Sequence, residues 1–211
     1  MLRSTLIAEG TADRALLPIL RWLLVTHWAE AFADPQFFGT SAISLARRVS
    51  LAVRDYPCEL LLVHRDADRA TYQQRVDEIR EAITASGISP IPLVCVVPVR
   101  ATEAWLLLDE RAIRRAAGHP NGRMGLSLPR PDEIEVVSAP KERLHDALRQ
   151  AAELTGRRLK KFHVVTAVSR VAESMEDFAN LRRLSAFRAF EGELCKVLDD
   201  LRASPIGSGR R

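Results

Sequence analysis

The sequence predicts an α/β protein: a mostly parallel sheet in a three-layer α/β/α arrangement, followed by a helical C-terminal region. Three observations carry this. Short apolar, β-compatible runs at residues 5–8, 60–63 and 91–99 alternate with amphipathic segments of helical period. The runs are apolar at successive positions, as in strands covered on both faces. Strand, turn and helix then recur in the order of βαβ units.

Thr5-Leu6-Ile7-Ala8 reads as the first strand, closed by Glu9-Gly10, where glycine permits a sharp turn. Thr11 is a fair N-cap for the next helix, and Asp13 falls in its first turn, where a carboxylate suits the helix dipole. Apolar residues at 16, 17, 20, 23 and 24 give that helix one stripe. Asp34-Pro35 breaks the pattern, and residues 36–39 make a short second strand. Ser41 is expected to begin a helix that shows Ile43, Ala46, Val49 and Val53 on one face and ends before Pro57. Leu60-Leu61-Leu62-Val63 is the third strand, and the helix over residues 71–86 is closed by Gly87. Residues 91–99, with a proline near each end, form the fourth strand.

Residues 101–117 read as one helix carrying Glu103 and Asp109. Six residues separate these acids, about 240° of helical rotation, so Glu103 is the site candidate and Asp109 a structural or surface acid. Trp105 and its three leucines read as core. Residues 119–131, rich in Gly, Pro, Asn and Arg, read as an exposed loop and boundary. Beyond it, helices are expected from Pro140 to about Leu154, ended by Gly156, then through Met175, and from about Asn180 to Leu201. The expected division is a core at 1–118, a helical region at 119–203 packed on it, and a disordered tail at 204–211.

The chain has 211 residues, enough for a full core; 47% are hydrophobic and 27% charged, which argues against disorder. No apolar stretch reaches the roughly 18–20 residues of a membrane helix. The N-terminus runs straight into a strand and predicts no secretory leader. Three cysteines, without metal-binding spacing, read as buried thiols. Together these place the protein in the cytoplasm. Net charge is +4, and the excess lies in the last 61 residues, with 12 Lys and Arg against 8 Asp and Glu. Such a surface permits contact with phosphate backbones without requiring it. The run Arg157-Arg158-Leu159-Lys160-Lys161 is either a solvated face or a phosphate grip.

The chemistry lies at the strand ends. Glu9 ends the first strand, Asp66 and Asp68 end the third, and Glu103 follows the fourth. Parallel strands open on one edge, so these acids converge there. Asp66 and Asp68, two apart on extended chain, would point to one side and repel unless a cation sits between them. Mg²⁺ or Mn²⁺, which accept carboxylate oxygen, fit such a cluster, and metal sites of this kind act on phosphodiesters. The plain alternative is that both aspartates are solvated loop residues capping the next helix.

Glu9-Gly10-Thr11-Ala12-Asp13 and Arg65-Asp66-Ala67-Asp68 resemble the TOPRIM pattern of topoisomerases, primases and overcoming-lysogenization-defect nucleases. A bacterial TOPRIM-like family is similar over a longer span. Its R-D-x-D, E-A-W-x-L-x-D and P-K-x-x-L occur here as residues 65–68, 103–109 and 140–144. The resemblance implies a TOPRIM-like core with a Mg²⁺-dependent nuclease or nucleotidyl-transfer site. It also implies nucleic acid as substrate, and an AAA-type ATPase as partner in anti-phage or DNA-maintenance systems. Glu9, Asp66, Asp68 and Glu103 would be metal-binding and catalytic, with Arg65 and Lys141 on phosphate. The chain departs from the nucleases in having fewer acids, no lysine beside the D-x-D pair and no nucleic-acid-binding appendage. The rival expectation is therefore a non-catalytic partner or sensor subunit of the ATPase, and a third is a small-molecule phosphotransferase. No G-x-x-x-x-G-K loop is present to cradle a nucleotide.

Overall fold

A computed structural model describes residues 1–28, 30 and 32–203. The tail expected at 204–211 lies outside the described residues. Four strands, β1 (Ser4–Ala8), β2 (Gln36–Gly39), β3 (Leu60–His64) and β4 (Leu93–Val96), form one parallel sheet in the order β2-β1-β3-β4. The helices are α1 (Leu16–His27), α2 (Leu45–Asp55), α3 (Tyr72–Ser86), α4 (Thr102–Leu106), α5 (Glu110–Ala116), α6 (Pro140–Ala151), α7 (Gly156–Lys160), α8 (Val164–Ser174) and α9 (Ser185–Ala203).

Pleating sends alternate strand residues to opposite faces. Ile7, Leu61, Val63 and Cys95 bury against α2 and α3. Leu6, Ala8, Leu60, Leu62, Val94 and Val96 share a larger core with α1, α4, α5, α6, α8 and α9. The three-layer expectation holds, and the C-terminal helices supply much of one covering layer. Trp105 is the pivot of that layer: its ring lies edge-on to Phe187 at 5.2 Å and stacks on Phe190 at 6.1 Å, with all three fully buried. Phe187→Ala is expected to destabilise the fold by about 3–5 kcal/mol, the usual cost of an aromatic-sized hole. Urea denaturation checks it.

Several expected boundaries move, for local reasons. Ser44, not Ser41, caps α2, its hydroxyl accepting the Arg47 N–H at 3.3 Å. The helix expected over 101–117 is two, because Asp109 leaves helical geometry to accept the Ala112 N–H at 2.9 Å and cap α5. This makes Asp109 structural, as expected. Strand β4 is shorter than 91–99 because Pro92 and Pro98 cannot donate to a ladder. Helix α6 ends at Ala151, and Gly156, with φ of +56°, opens α7 rather than closing α6. Of the three cysteines only Cys95 is buried, its thiol pushed up to about 12 by burial; Cys58 and Cys195 are partly exposed. No helix among the described residues is long and apolar enough to cross a membrane.

Candidate metal site at the sheet edge

The strand order places the reversal of winding between β1 and β3. From β1 the chain crosses over α1 to reach β2 on one side, then returns over α2 to β3 on the other. Ligands of open parallel sheets bind outside the carboxyl ends of the strands at such a point. Glu9 follows β1 and Asp66 follows β3, so these two acids stand on either side of it.

Between them is a residue that the sequence reading passes over. His64, the last residue of β3, is completely buried. Its Nδ1 lies 3.0 Å from the Val96 carbonyl of β4. A carbonyl only accepts, so Nδ1 carries the hydrogen. In the neutral ring, Nε2 is then an unprotonated donor atom. It faces Asp66 Oδ1 at 3.4 Å, Asp13 Oδ1 at 3.6 Å and Thr102 Oγ1 at 3.4 Å. Ligand atoms of Glu9, His64 and Asp66 all lie within 4.8 Å of one another. A metal-binding histidine commonly has its other nitrogen held by a backbone carbonyl, as Val96 holds this one.

Each carboxylate is positioned by backbone. Asp66 Oδ1 accepts the Thr102 N–H at 2.9 Å, which ties the end of β3 to the start of α4. Asp13 Oδ2 accepts the Glu9 and Gly10 N–H groups at 2.9 and 2.8 Å and so folds the turn after β1. The buried Arg48 donates to the Ala8 carbonyl at 2.9 Å and fixes the residue before Glu9. Burial, reinforced by the nearby charges of Glu103, Asp13 and Glu9, pushes Asp66 up to about 7, although His64 works the other way. Burial opposes the charged form of His64, but the bond to Asp13 and the charge of Asp66 outweigh it and raise its affinity for a proton. Burial likewise acts to raise Asp13, yet the His64 bond and the Gly10 and Glu9 N–H groups hold it below the usual carboxylate range. Without a cation the site therefore retains protons that a cation would displace.

This has a consequence for stability. A carboxyl raised in the folded state favours folding fully below its unfolded value, near 4. That contribution is lost as pH climbs through about 7. In EDTA at pH 8, Asp66→Asn, which keeps the oxygen that accepts the Thr102 N–H, is expected to melt higher than the wild type. The gain is about 1–2 kcal/mol and shrinks toward pH 5. Calorimetry across pH checks the sign.

The other sequence candidates are placed less uniformly. Strand geometry stops at His64, so Asp66 and Asp68 do not share one side of an extended chain. Asp68 has φ of +52°, is exposed, and pairs with Arg75 at 3.3 Å; it lies outside the Glu9–His64–Asp66 cluster. Glu103, in the first turn of α4, lines the same cleft as Asp66. Arg65 is committed to protein carboxylates, its Nε 2.6 Å from Glu9 Oε1 and its Nη1 3.4 Å from Glu78. Lys141, beside the N-terminus of α6, is exposed on the cleft and makes no ion pair among the described residues. His64, Thr102 and Arg48 were missed; only the topology shows what they face.

The cleft itself has a volume of about 740 Å³. Asp13, Asp66, Asp68 and Glu103 line it together with Arg69, Arg100 and Lys141. Arg69 and Arg100, like Lys141, make no ion pair among the described residues. Arg100 has φ of +67°, and its carbonyl accepts the Asp68 N–H at 2.9 Å, so two left-handed non-glycine residues are locked together on the cleft wall. Such conformations are costly and concentrate at functional sites. No family model, curated protein or solved structure matches the chain.

Proposed function

We propose that the protein is a metal-dependent phosphodiesterase acting on nucleic acid, with its centre at Glu9, His64 and Asp66. The observation that carries this is the position of Asp66, which shares an O,N,O ligand cluster with Glu9 and His64 and also lines the cleft that holds the unpaired cations Arg69, Arg100 and Lys141. Acids to hold a cation and free cations to hold phosphate are the two halves of a phosphoryl-transfer site. The residues fit a divalent ion: two carboxylates and an imidazole whose tautomer is already set. The imidazole tilts the donor set from Mg²⁺ toward Mn²⁺, because nitrogen suits the later metal better.

When bound, the ion supplies charge against the phosphoryl oxygens and acidifies a coordinated water. The chain does the rest. Glu9 and Asp66 would hold the cation from the ends of neighbouring strands, with His64 held by Val96 and Asp66 by Thr102. Arg69, Arg100 and Lys141 bind the phosphate and fix its approach. Glu103, which lines the same cleft, would serve as a further ligand or orient a second ion. The TOPRIM-like pattern of Glu9 and Arg65-Asp66-Ala67-Asp68 supports this reading, with His64 added and Asp68 given a lesser part. An AAA-type ATPase partner in an anti-phage or DNA-maintenance setting belongs to the same proposal.

The test is incubation with end-labelled DNA and RNA, single- and double-stranded, in Mn²⁺, Mg²⁺ or EDTA. The expected result is cleavage in Mn²⁺, slower cleavage in Mg²⁺ and none in EDTA. Intact polymers under every condition, from protein that binds metal, would make the chain a non-catalytic subunit.

A further inference from the structure

On the helical side of the molecule, away from the sheet edge, lies a second groove with a volume of about 340 Å³. Its floor is apolar, from Ala116, Ala117, Phe162 and Ala167. Its walls carry Arg158, Lys161, His163 and Arg170, and no carboxylate lines it. All four side chains are exposed, and none makes an ion pair among the described residues. Nearby, Arg114, Arg115 and His119 each sit against an acid instead. The last carbonyls of α5 are not bare toward the groove, since the Ala117, Gly118 and His119 N–H groups take those of Ile113, Arg115 and Arg114. The first turn of α8 carries no acid, so the helix start adds a field of the same sign as the side chains.

Three uncompensated cations, Arg158, Lys161 and Arg170, stand around an apolar floor and repel one another unless an anion joins them. Their spread over α7, α8 and the turn between them suits a chain of phosphates better than a single small anion. Helix α6 relates this groove to the cleft. Pro140 and Lys141, at its start, line the cleft, and Leu154, just past its end, lines the groove. Its 12 residues span about 18 Å, roughly five base-pair steps.

We infer that the groove is a second contact for the backbone of a nucleic acid whose reacting phosphate lies in the cleft, about one α6 length away. The choice of nucleic acid as the polyanion rests on the function proposed above. The groove gives affinity and length dependence, and takes no part in the chemistry.

The test is fluorescence anisotropy in EDTA with labelled single strands of about 24 nucleotides and duplexes of about 24 base pairs, over a series of salt concentrations. The variant is Arg158→Glu/Lys161→Glu/Arg170→Glu, whose changes are all on exposed side chains; circular dichroism verifies its fold. The expected result is binding weakened by roughly thirtyfold or more at low salt. The slope of log Kd against log salt is expected to fall by about 2–3, for three lost phosphate contacts. With bis(4-nitrophenyl) phosphate, which reaches only the cleft, the variant is expected to hydrolyse at the wild-type rate in Mn²⁺. Equal affinity and equal salt slope in variant and wild type overturn the inference, as does failure of the wild type to bind either probe. The two readings fail separately. Groove-dependent binding without any cleavage counts against catalysis alone, and cleavage with an unchanged variant affinity counts against the groove alone.

Discussion

Millimolar Mn²⁺ is expected to raise the melting temperature of the wild-type protein by about 5–11 °C above its value in EDTA. A ligand that binds only the folded chain stabilises it by mass action, by about 2.7 kcal/mol when present at a hundred times its Kd. For a chain of this size each kcal/mol moves the midpoint by about 2–4 °C. The size of the effect follows from the relief the cation brings. Asp66 is pushed up to about 7 by burial and by the carboxylates of Glu103, Asp13 and Glu9, and a cation between them removes that repulsion. Because the cation displaces protons from Asp66 and from His64, the shift grows as pH rises from about 6 to 8. Glu9→Gln/Asp66→Asn is expected to show no shift. Differential scanning fluorimetry in EDTA, Mg²⁺ and Mn²⁺ reads all three arms, with Mn²⁺ giving the larger shift.

The second large effect is an asymmetry between two aspartates that look equivalent in sequence. If the proposed centre is catalytic, Asp66→Asn is expected to lower the rate of phosphodiester cleavage by a factor of at least about 10², because it would remove a ligand charge. Asp68→Asn is expected to cost less than about tenfold. Asp66 lies within the cluster and is held by the Thr102 N–H, whereas Asp68 is exposed and spends its charge on Arg75. Single-turnover cleavage of a labelled oligonucleotide separates the two. Equal losses would restore the D-x-D pair as a unit.

That asymmetry marks where sequence reasoning ran out. That Glu9 and Asp66 meet at one sheet edge, with Glu103 on the cleft beside Asp66, was legible, because parallel strands have one carboxyl edge and each acid stands just past an apolar run. The same rule of period two misplaced Asp68, since it holds only while the chain is extended, and β3 ends four residues earlier. Nothing local announces the left-handed backbone at Asp68 or Arg100; it is set by the hydrogen bond between them, across 32 positions of sequence. His64 was invisible for a related reason. A histidine closing an apolar run reads as a strand end, and its tautomer depends on Val96 in another strand. Asp109 shows the opposite case: its role was read correctly although the helix assumed around it is broken there.

The most direct test of the central claim is pulsed electron paramagnetic resonance of Mn²⁺ bound to the wild-type protein. The account requires a ¹⁴N coupling from one imidazole, of a strength that places the nitrogen in the coordination sphere, and requires Asp66→Asn to abolish or severely weaken binding of the ion. Mn²⁺ that binds with oxygen ligands only, or binds equally well to Asp66→Asn, would contradict a centre built on Glu9, His64 and Asp66.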